Sequence, residues 1–119
     1  MPSSSLTAEI VVLTTFPVDR HDSTAEAARR LASRLVEMRL AACVQILPPQ
    51  ISIYHWEGKV EESTECLVMI KSVQQRFAEL EREIRDLHPY EVPEIIALPI
   101  VDGSPDYLHW IHTSTSLLP

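Results

Sequence analysis

Two strand-like runs separated by a glycine stand at the centre of the sequence, in residues 41–72, AACVQILPPQISIYHWEGKVEESTECLVMIKS. The first run, 41–47, is apolar, and strand character resumes after Pro48-Pro49 in the segment ISIYHWEG. The second run, 65–72, reads ECLVMIKS, and Gly58 lies near the turn between them. The two runs predict a long β-hairpin. A proline pair inside strand-like sequence is typical of a bulge or of an edge strand.

A strand and a helix precede this hairpin. The run IVVLTTF at 10–16 is rich in β-branched residues and predicts a strand that is buried on both faces. Alanine and leucine then repeat at intervals of three and four residues, which predicts an amphipathic helix ending near Met38. Ser23 and Glu26 have the spacing of a capping box, so we expect the helix to begin there.

A second helix, a fourth strand and a terminal helix follow the hairpin. Ser72 and Gln75 repeat the capping-box spacing, and the helix that they start must end just before Pro89. Residues 92–101, VPEIIALPIV, predict a strand whose prolines place it at a sheet edge. Ser104, followed by proline at the first helical position, predicts a short last helix.

The resulting order, β-α-β-β-α-β with an extra C-terminal helix, is that of the ferredoxin-like α+β fold. We expect one domain over residues 9–114, a flexible N-terminal tail at 1–8 and a C-terminal tail at 115–119. Right-handed crossovers place both main helices on one face of an antiparallel sheet. The opposite face needs a cover, and a chain of 119 residues has little left to supply it. We therefore expect self-association, with the hairpin and the proline-marked edges offering backbone groups to a second copy.

The composition excludes disordered, collagen-like and disulfide-rich chains, since 45% of residues are apolar and 23% are charged. A formal net charge of −7 argues against nucleic-acid and anionic-membrane partners, and it mildly favours cations as ligands. No apolar run is long enough to span a membrane, and no signal-peptide pattern is present, so we expect a cytoplasmic location. Cys43 and Cys66 lie in apolar stretches at a spacing that matches no zinc motif, which predicts buried thiols.

The most unusual segment is LHPYEVPE at 87–94, which holds a histidine, a tyrosine and two glutamates around two prolines. Prolines pre-set the backbone, so such side chains are held at little entropic cost. His88 could bind a metal or transfer a proton, with Glu94 as a carboxylate partner. The alternative is that His88 simply joins a helix end to a strand, where a cation suits the helix dipole.

The hairpin carries a second group of candidates. Strand alternation places Tyr54 and Trp56 on one face, where aromatics are usually packing or interface anchors but could also form a platform for a ligand. Lys71 ends an apolar strand and could meet an anion in a cleft. The simpler expectation for Lys71 is a salt bridge to a carboxylate such as Glu94.

Motifs for catalysis are weak in this sequence. Gly58 and Gly103 are the two glycines, so no glycine-rich phosphate loop exists, and neither GxSxG nor HExxH occurs. Apolar neighbours argue that Cys43 is an inert thiol rather than a nucleophile. His109 and His112 are spaced to share a metal on the last helix, although exposed surface histidines near a frayed helix end are the simpler expectation. The sequence therefore predicts a protein that is not an enzyme.

The sequence resembles the CutA family of divalent-cation tolerance proteins over residues 10–111, and the matching motifs occur in the family's order: VVLTTFP, RLAACVQILP, SIYHWEGKVEESTE, MIKS, LHPYEVPEIIALPI and YLHWI. The resemblance implies a ferredoxin-like protomer in a tight homotrimer, similar in build to PII-type signalling proteins. It also implies binding of copper or another divalent metal ion, without an established catalytic activity. The alternative is a small-molecule sensor or signalling scaffold that uses clefts between subunits.

The family's site residues map onto the intact HPYEVPE motif. His88 matches a histidine implicated in copper binding, and Glu94 lies in the same region. Two departures weaken the implied copper site: Thr14 replaces a cysteine, and Leu87 a histidine, that copper-binding members can carry. The residues expected at a ligand cleft or subunit interface are Tyr54, Trp56, Lys71 and Tyr90.

Overall fold

A computed structural model describes residues 8–19 and 25–117 of the chain. The predicted cap residue Ser23, residues 1–7 of the predicted N-terminal tail and residues 118–119 of the predicted C-terminal tail lie outside these residues. The described part contains four strands and three helices, in chain order β1 (Glu9–Pro17), α1 (Glu26–Glu37), β2 (Cys43–Trp56), β3 (Lys59–Val73), α2 (Phe77–Leu87), β4 (Ile95–Pro99) and α3 (Pro105–Ser114). The predicted order of elements is confirmed.

The strands form one antiparallel sheet in the order β2-β3-β1-β4, which confirms the ferredoxin-like α+β fold. Strand β4 lies at an edge, as its prolines predict, but it is shorter than the predicted 92–101. Its pairing with β1 begins only at Ile95, opposite Thr14. The residues before Ile95 leave the ladder and cross the end of the sheet, where they form one wall of the cleft described below.

The long hairpin is confirmed, with β2 and β3 paired from Cys43–Lys71 to Trp56–Lys59. Its register shifts between Ile46 and Pro49, so the proline pair forms an irregularity in an edge strand, where a missing N–H is tolerated. The turn consists of Glu57 and Gly58, which have φ values of 50° and 79°. Two successive positive φ angles match the right-handed strand twist and explain a glycine at this position.

Helices α1 and α2 cover one face of the sheet, which we call the helix face. Every second residue of β1 points into this core, so Val12, Thr14 and Phe16 are almost fully buried. The helices contribute their apolar stripes to the same core through Leu31, Leu35, Leu80 and Ile84. Val11 and Leu13, which point to the other face, are only half-buried, so the prediction that β1 is buried on both faces is wrong for a single chain.

Two helix caps predicted from the sequence are absent. Ser72 belongs to β3, and its buried hydroxyl donates to the carbonyl of Leu40 at 2.6 Å rather than capping α2. A short 3₁₀ turn, Gln74–Arg76, precedes α2 instead. Ser104 makes no side-chain cap to α3, although Pro105 occupies the first helical turn as predicted. The capping-box interpretation of Ser72 is therefore wrong, because the hydroxyl has a buried carbonyl to satisfy.

The other face of the sheet, which we call the open face, is covered at one end by α3, where Ile111 packs against Ala42 and Val73. The rest of this face is apolar, and the residues that form it are half-buried or exposed: Val11, Leu13, Leu67, Met69, Ile96 and Leu98. Cys43 also lies on this face and is half-buried, so its prediction as a buried thiol is wrong, whereas Cys66 is buried as predicted.

Candidate functional site

A cleft of about 680 Å³ opens on the open face, at the end away from α3. One wall is the hairpin and the other is the segment 89–94, which crosses the end of the sheet. Three aromatic and three acidic side chains line it: Tyr54, Trp56, Tyr90, Glu65, Glu91 and Glu94. None of the described residues that line the cleft is a lysine, arginine or histidine.

The hairpin wall follows from strand alternation. Tyr54 and Trp56 are two residues apart on β2, so they lie on the same face, and they are 41% and 47% exposed. Glu65 of β3 pairs with Gln50 of β2, which places its side chain on the same face as the two aromatic rings. Glu65 is nevertheless only 6% exposed. The hairpin therefore presents two partly exposed aromatic rings beside one buried carboxylate.

The opposite wall is held in place by His88, which is buried at the end of α2. Its Nε2–H donates to the carbonyl of Thr15 at 2.6 Å, and its Nδ1 accepts the backbone N–H of Tyr90 at 3.0 Å. A carbonyl can only accept and an amide N–H can only donate, so the ring is neutral with its proton on Nε2. Burial lowers the pKa of His88, and the ring also packs on Phe16 with centroids 4.3 Å apart.

Tyr90 connects this segment to the hairpin. Its hydroxyl donates to Oε2 of Glu65 at 2.9 Å. Burial and the bond to the Glu65 carboxylate raise the pKa of Tyr90 to about 12. The phenol therefore stays protonated at neutral pH and the carboxylate of Glu65 is held in one orientation.

The structure brings four of the six predicted site residues into the cleft, namely Tyr54, Trp56, Tyr90 and Glu94. His88 lies behind Tyr90 and acts on the wall through hydrogen bonds. Lys71 does not line the cleft, and its ammonium group donates to the side-chain oxygen of Gln45. The predicted salt bridge between Lys71 and Glu94 is wrong, because Gln45 is the nearer acceptor on the open face.

Two acidic residues of the cleft were missed by the sequence argument. Glu65 lies midway along β3, after Glu61 and Glu62, and nothing in its local sequence distinguishes it from those two exposed charges. Glu91 lies in the motif but was not singled out. Nε2 of His112 is hydrogen-bonded to the buried carboxylate of Glu9, whereas His109 is exposed to solvent. The two histidines are therefore not arranged to share a metal ion.

A single chain offers an incomplete ligand set for a metal ion. Within residues 8–19 and 25–117, no three His, Cys, Asp or Glu side chains converge closely enough to hold a metal. Both ring nitrogens of His88 are already hydrogen-bonded. Thr14 is fully buried on the helix face, and its hydroxyl has no hydrogen-bond partner among the described residues. Glu91 and Glu94 are exposed and are thus the cleft carboxylates that remain accessible as ligands, whereas Glu65 is buried.

Comparison with known proteins decides the family, since residues 10–114 match the model of the CutA1 divalent ion tolerance protein. The chain belongs to the CutA family. A divalent-cation tolerance protein CutA of Thermus thermophilus is 47% identical over 107 residues, which cover 90% of this chain and 98% of that protein. Protein CutA of Mus musculus is 50% identical over 88 residues, 74% of this chain, and this chain spans about half the length of the mouse protein.

Solved CutA structures confirm the fold. The Thermus thermophilus protein superimposes with a TM-score of 0.83 at 46% identity, covering 91% of this chain and 99% of that one. CutA1 from Oryza sativa gives a TM-score of 0.84 at 40% identity, covering 97% of this chain and all of the other. Relatives are named as chloroplastic in Arabidopsis thaliana and as periplasmic in Archaeoglobus fulgidus. In the part of the chain that the structure describes, no helix is long and apolar enough to cross a membrane.

Proposed function

We propose that this CutA-family chain acts in divalent-cation tolerance in the cytoplasm, as a non-enzymatic homotrimer that binds divalent metal ions weakly. The observation that carries the proposal is the cleft, which Glu65, Glu91 and Glu94 line together and where none of the described lining residues is basic. Such a surface attracts cations, and carboxylate oxygens are common ligands for divalent ions.

The donor set also supports a preference among metals. Oxygen ligands without a thiolate favour harder ions over copper, and the family's cysteine position is occupied here by Thr14. His88 supplies a nitrogen ligand only when its bond to the N–H of Tyr90 opens, because Nδ1 is otherwise engaged. Weak binding is expected, and a neighbouring subunit would supply the ligands that one chain lacks.

Calorimetric titration of metal-stripped protein with Zn(II) and Cu(II) at neutral pH tests the metal proposal. We expect saturable binding near one ion per chain, with a weaker affinity for Glu94→Gln. Glu62→Gln is the matched control because Glu62 lies on the same hairpin but on its other face. Absence of saturable heat, or equal affinities for the two variants, would contradict the proposal.

The homotrimer is supported by the apolar open face and by two free sheet edges, β2 and β4. A layer of apolar side chains needs a cover, and the described chain covers only its α3 end. The number of subunits comes from the family resemblance. Sedimentation should therefore give three times the 13.5 kDa of one chain.

A second function, the binding of a small molecule, is favoured by the shape of the cleft. Its volume of about 680 Å³ falls within the range of roughly 300–1,000 Å³ that is typical of ligand pockets. Aromatic walls beside a few polar groups are likewise typical of such pockets. A ligand screen by thermal shift tests this function, since a ligand that binds the folded state must raise the melting temperature.

A further inference from the structure

We infer that the cleft recognises an organic ammonium ion, that is, a positively charged nitrogen carried on a small apolar body. This inference rests on the second proposed function, the binding of a small molecule, and it names the ligand class. Two independent features carry it: the buried carboxylate of Glu65 and the aromatic rings around it.

The charge of the cleft selects a cation. Glu65 lies on the hairpin wall, Glu91 and Glu94 lie on the wall formed by the 89–94 segment, and none of the described lining residues is basic. Glu65 is 6% exposed, so its charge is poorly screened by water and acts strongly on a bound ion. An anionic ligand would meet like charges on both walls, and a neutral one would leave this charge uncompensated.

Glu65 is also positioned to accept hydrogen bonds from a ligand. Its Oε2 already receives the hydroxyl of Tyr90, which fixes the direction of the carboxylate. An ionised carboxylate has about four lone-pair sites, so acceptor capacity remains for an N–H donor. Because Tyr90 stays protonated at neutral pH, the hydroxyl keeps donating to Glu65 and does not add a competing negative charge.

The aromatic rings favour an organic cation as the ligand of the cleft of a single chain. Tyr54, Trp56 and Tyr90 line the same cleft, and an ammonium group over such a ring is attracted by the ring quadrupole. A metal ion needs several ligands in close convergence, which the described residues of one chain do not provide. An ammonium ion needs one carboxylate and an aromatic face, and its apolar body gains from burial against the rings.

A charge series of nearly equal shape tests the inference: benzylammonium, benzyl alcohol and benzoate, each titrated into the oligomer with a chelator present. Binding is followed by the fluorescence of Trp56 in a Trp110→Phe background, which removes the chain's second tryptophan. We expect benzylammonium to bind saturably, at least tenfold more tightly than benzyl alcohol, with benzoate weakest.

Variants then locate the site. Glu65→Gln keeps an acceptor for the Tyr90 hydroxyl but removes the charge, so it should weaken benzylammonium binding about tenfold or more. Glu62→Gln makes the same charge change on the opposite face of the hairpin and should stay within about twofold of the parent. Circular dichroism of each variant confirms that it is folded.

The possible failures are distinguishable. Equal binding of the three compounds at Trp56 would overturn the ammonium inference and leave the small-molecule function intact. No response to any of the three would overturn both the inference and the proposed small-molecule function, whereas the metal proposal would still be decided by the Zn(II) and Cu(II) titration. Equal affinities for Glu65→Gln and Glu62→Gln would overturn the role of Glu65.

Discussion

Nδ1 of His88 accepts the backbone N–H of Tyr90 at 3.0 Å, and the two rings lie 5.0 Å apart. This bond ties the wall of the cleft to the protonation state of a buried imidazole. A proton on Nδ1 would face the amide proton of Tyr90, so the charged ring cannot keep the bond. The geometry that forms the cleft therefore requires a neutral His88.

The first prediction concerns pH. Burial lowers the pKa of His88 in the folded chain below the value of about 6.5 expected in the unfolded chain. Between these two values the unfolded chain binds a proton that the folded chain does not, so the free energy of unfolding falls as pH falls below about 6.5. The slope is at most about 1.4 kcal/mol per pH unit from this group.

Denaturant unfolding between pH 7.5 and pH 5.5, at fixed protein concentration, checks this prediction. His88→Gln can still donate to Thr15 but carries no titrating ring, so its stability should depend less steeply on pH. Parallel pH dependences for the parent and His88→Gln would show that His88 does not titrate on unfolding.

The second prediction concerns the hydroxyl of Tyr90. Tyr90→Phe leaves the buried carboxylate of Glu65 without its donor, which should lower the free energy of unfolding by about 1–3 kcal/mol. Tyr107→Phe is the control, because Tyr107 is 44% exposed on α3. If chemical denaturation finds the two variants equally stable, the Tyr90–Glu65 bond contributes nothing measurable.

The third prediction compares the stability effects of Ser72 and Ser104, two serines that the sequence predicts as helix caps. Ser72→Ala removes a buried hydrogen bond to the carbonyl of Leu40 and should cost about 1–2 kcal/mol. Ser104→Ala removes no side-chain cap and should change stability by less than about 0.5 kcal/mol. Thermal melts of both variants test this difference, and a reversed order would contradict the assignment of Ser72 to the strand.

The fourth prediction concerns the open face. Leu98→Lys places a charge on this face, where Leu98 is 46% exposed in a single chain, and should dissociate the oligomer at micromolar concentrations. Val101→Lys is the control, since Val101 is 83% exposed just beyond the end of β4. Sedimentation velocity should give monomers for the first variant and trimers for the second. Trimers from both would place the interface elsewhere.

Much of the fold could be predicted from local patterns, because periodicity and turn residues report directly on local backbone structure. The Glu57–Gly58 turn and the Pro48-Pro49 irregularity are examples, because each depends only on the backbone of neighbouring residues in the sequence. Ser72 shows the limit, since its capping-box spacing is real but a carbonyl 32 residues away takes the hydroxyl.

The candidate site could be predicted only in part for the same reason. Tyr54 and Trp56 follow from strand alternation, and Tyr90 and Glu94 from an unusual proline-bounded motif. Glu65 becomes recognisable only through its bond to Tyr90, which is 25 residues away in the sequence. Contacts over such separations depend on the packing of the whole domain, and the spacing of nearby residues carries no information about that packing.

Native mass spectrometry of metal-stripped protein, titrated with Zn(II), is the sharpest test of a metal-binding homotrimer because it counts subunits and bound ions together. We expect a particle of three 13.5 kDa chains that takes up as many as three ions, with lower occupancy for Glu94→Gln than for the parent. We also expect lower occupancy for Glu94→Gln than for Glu62→Gln at the same Zn(II) concentration. A monomeric particle, or a trimer whose ion count is unchanged by Glu94→Gln, would contradict the metal-binding homotrimer.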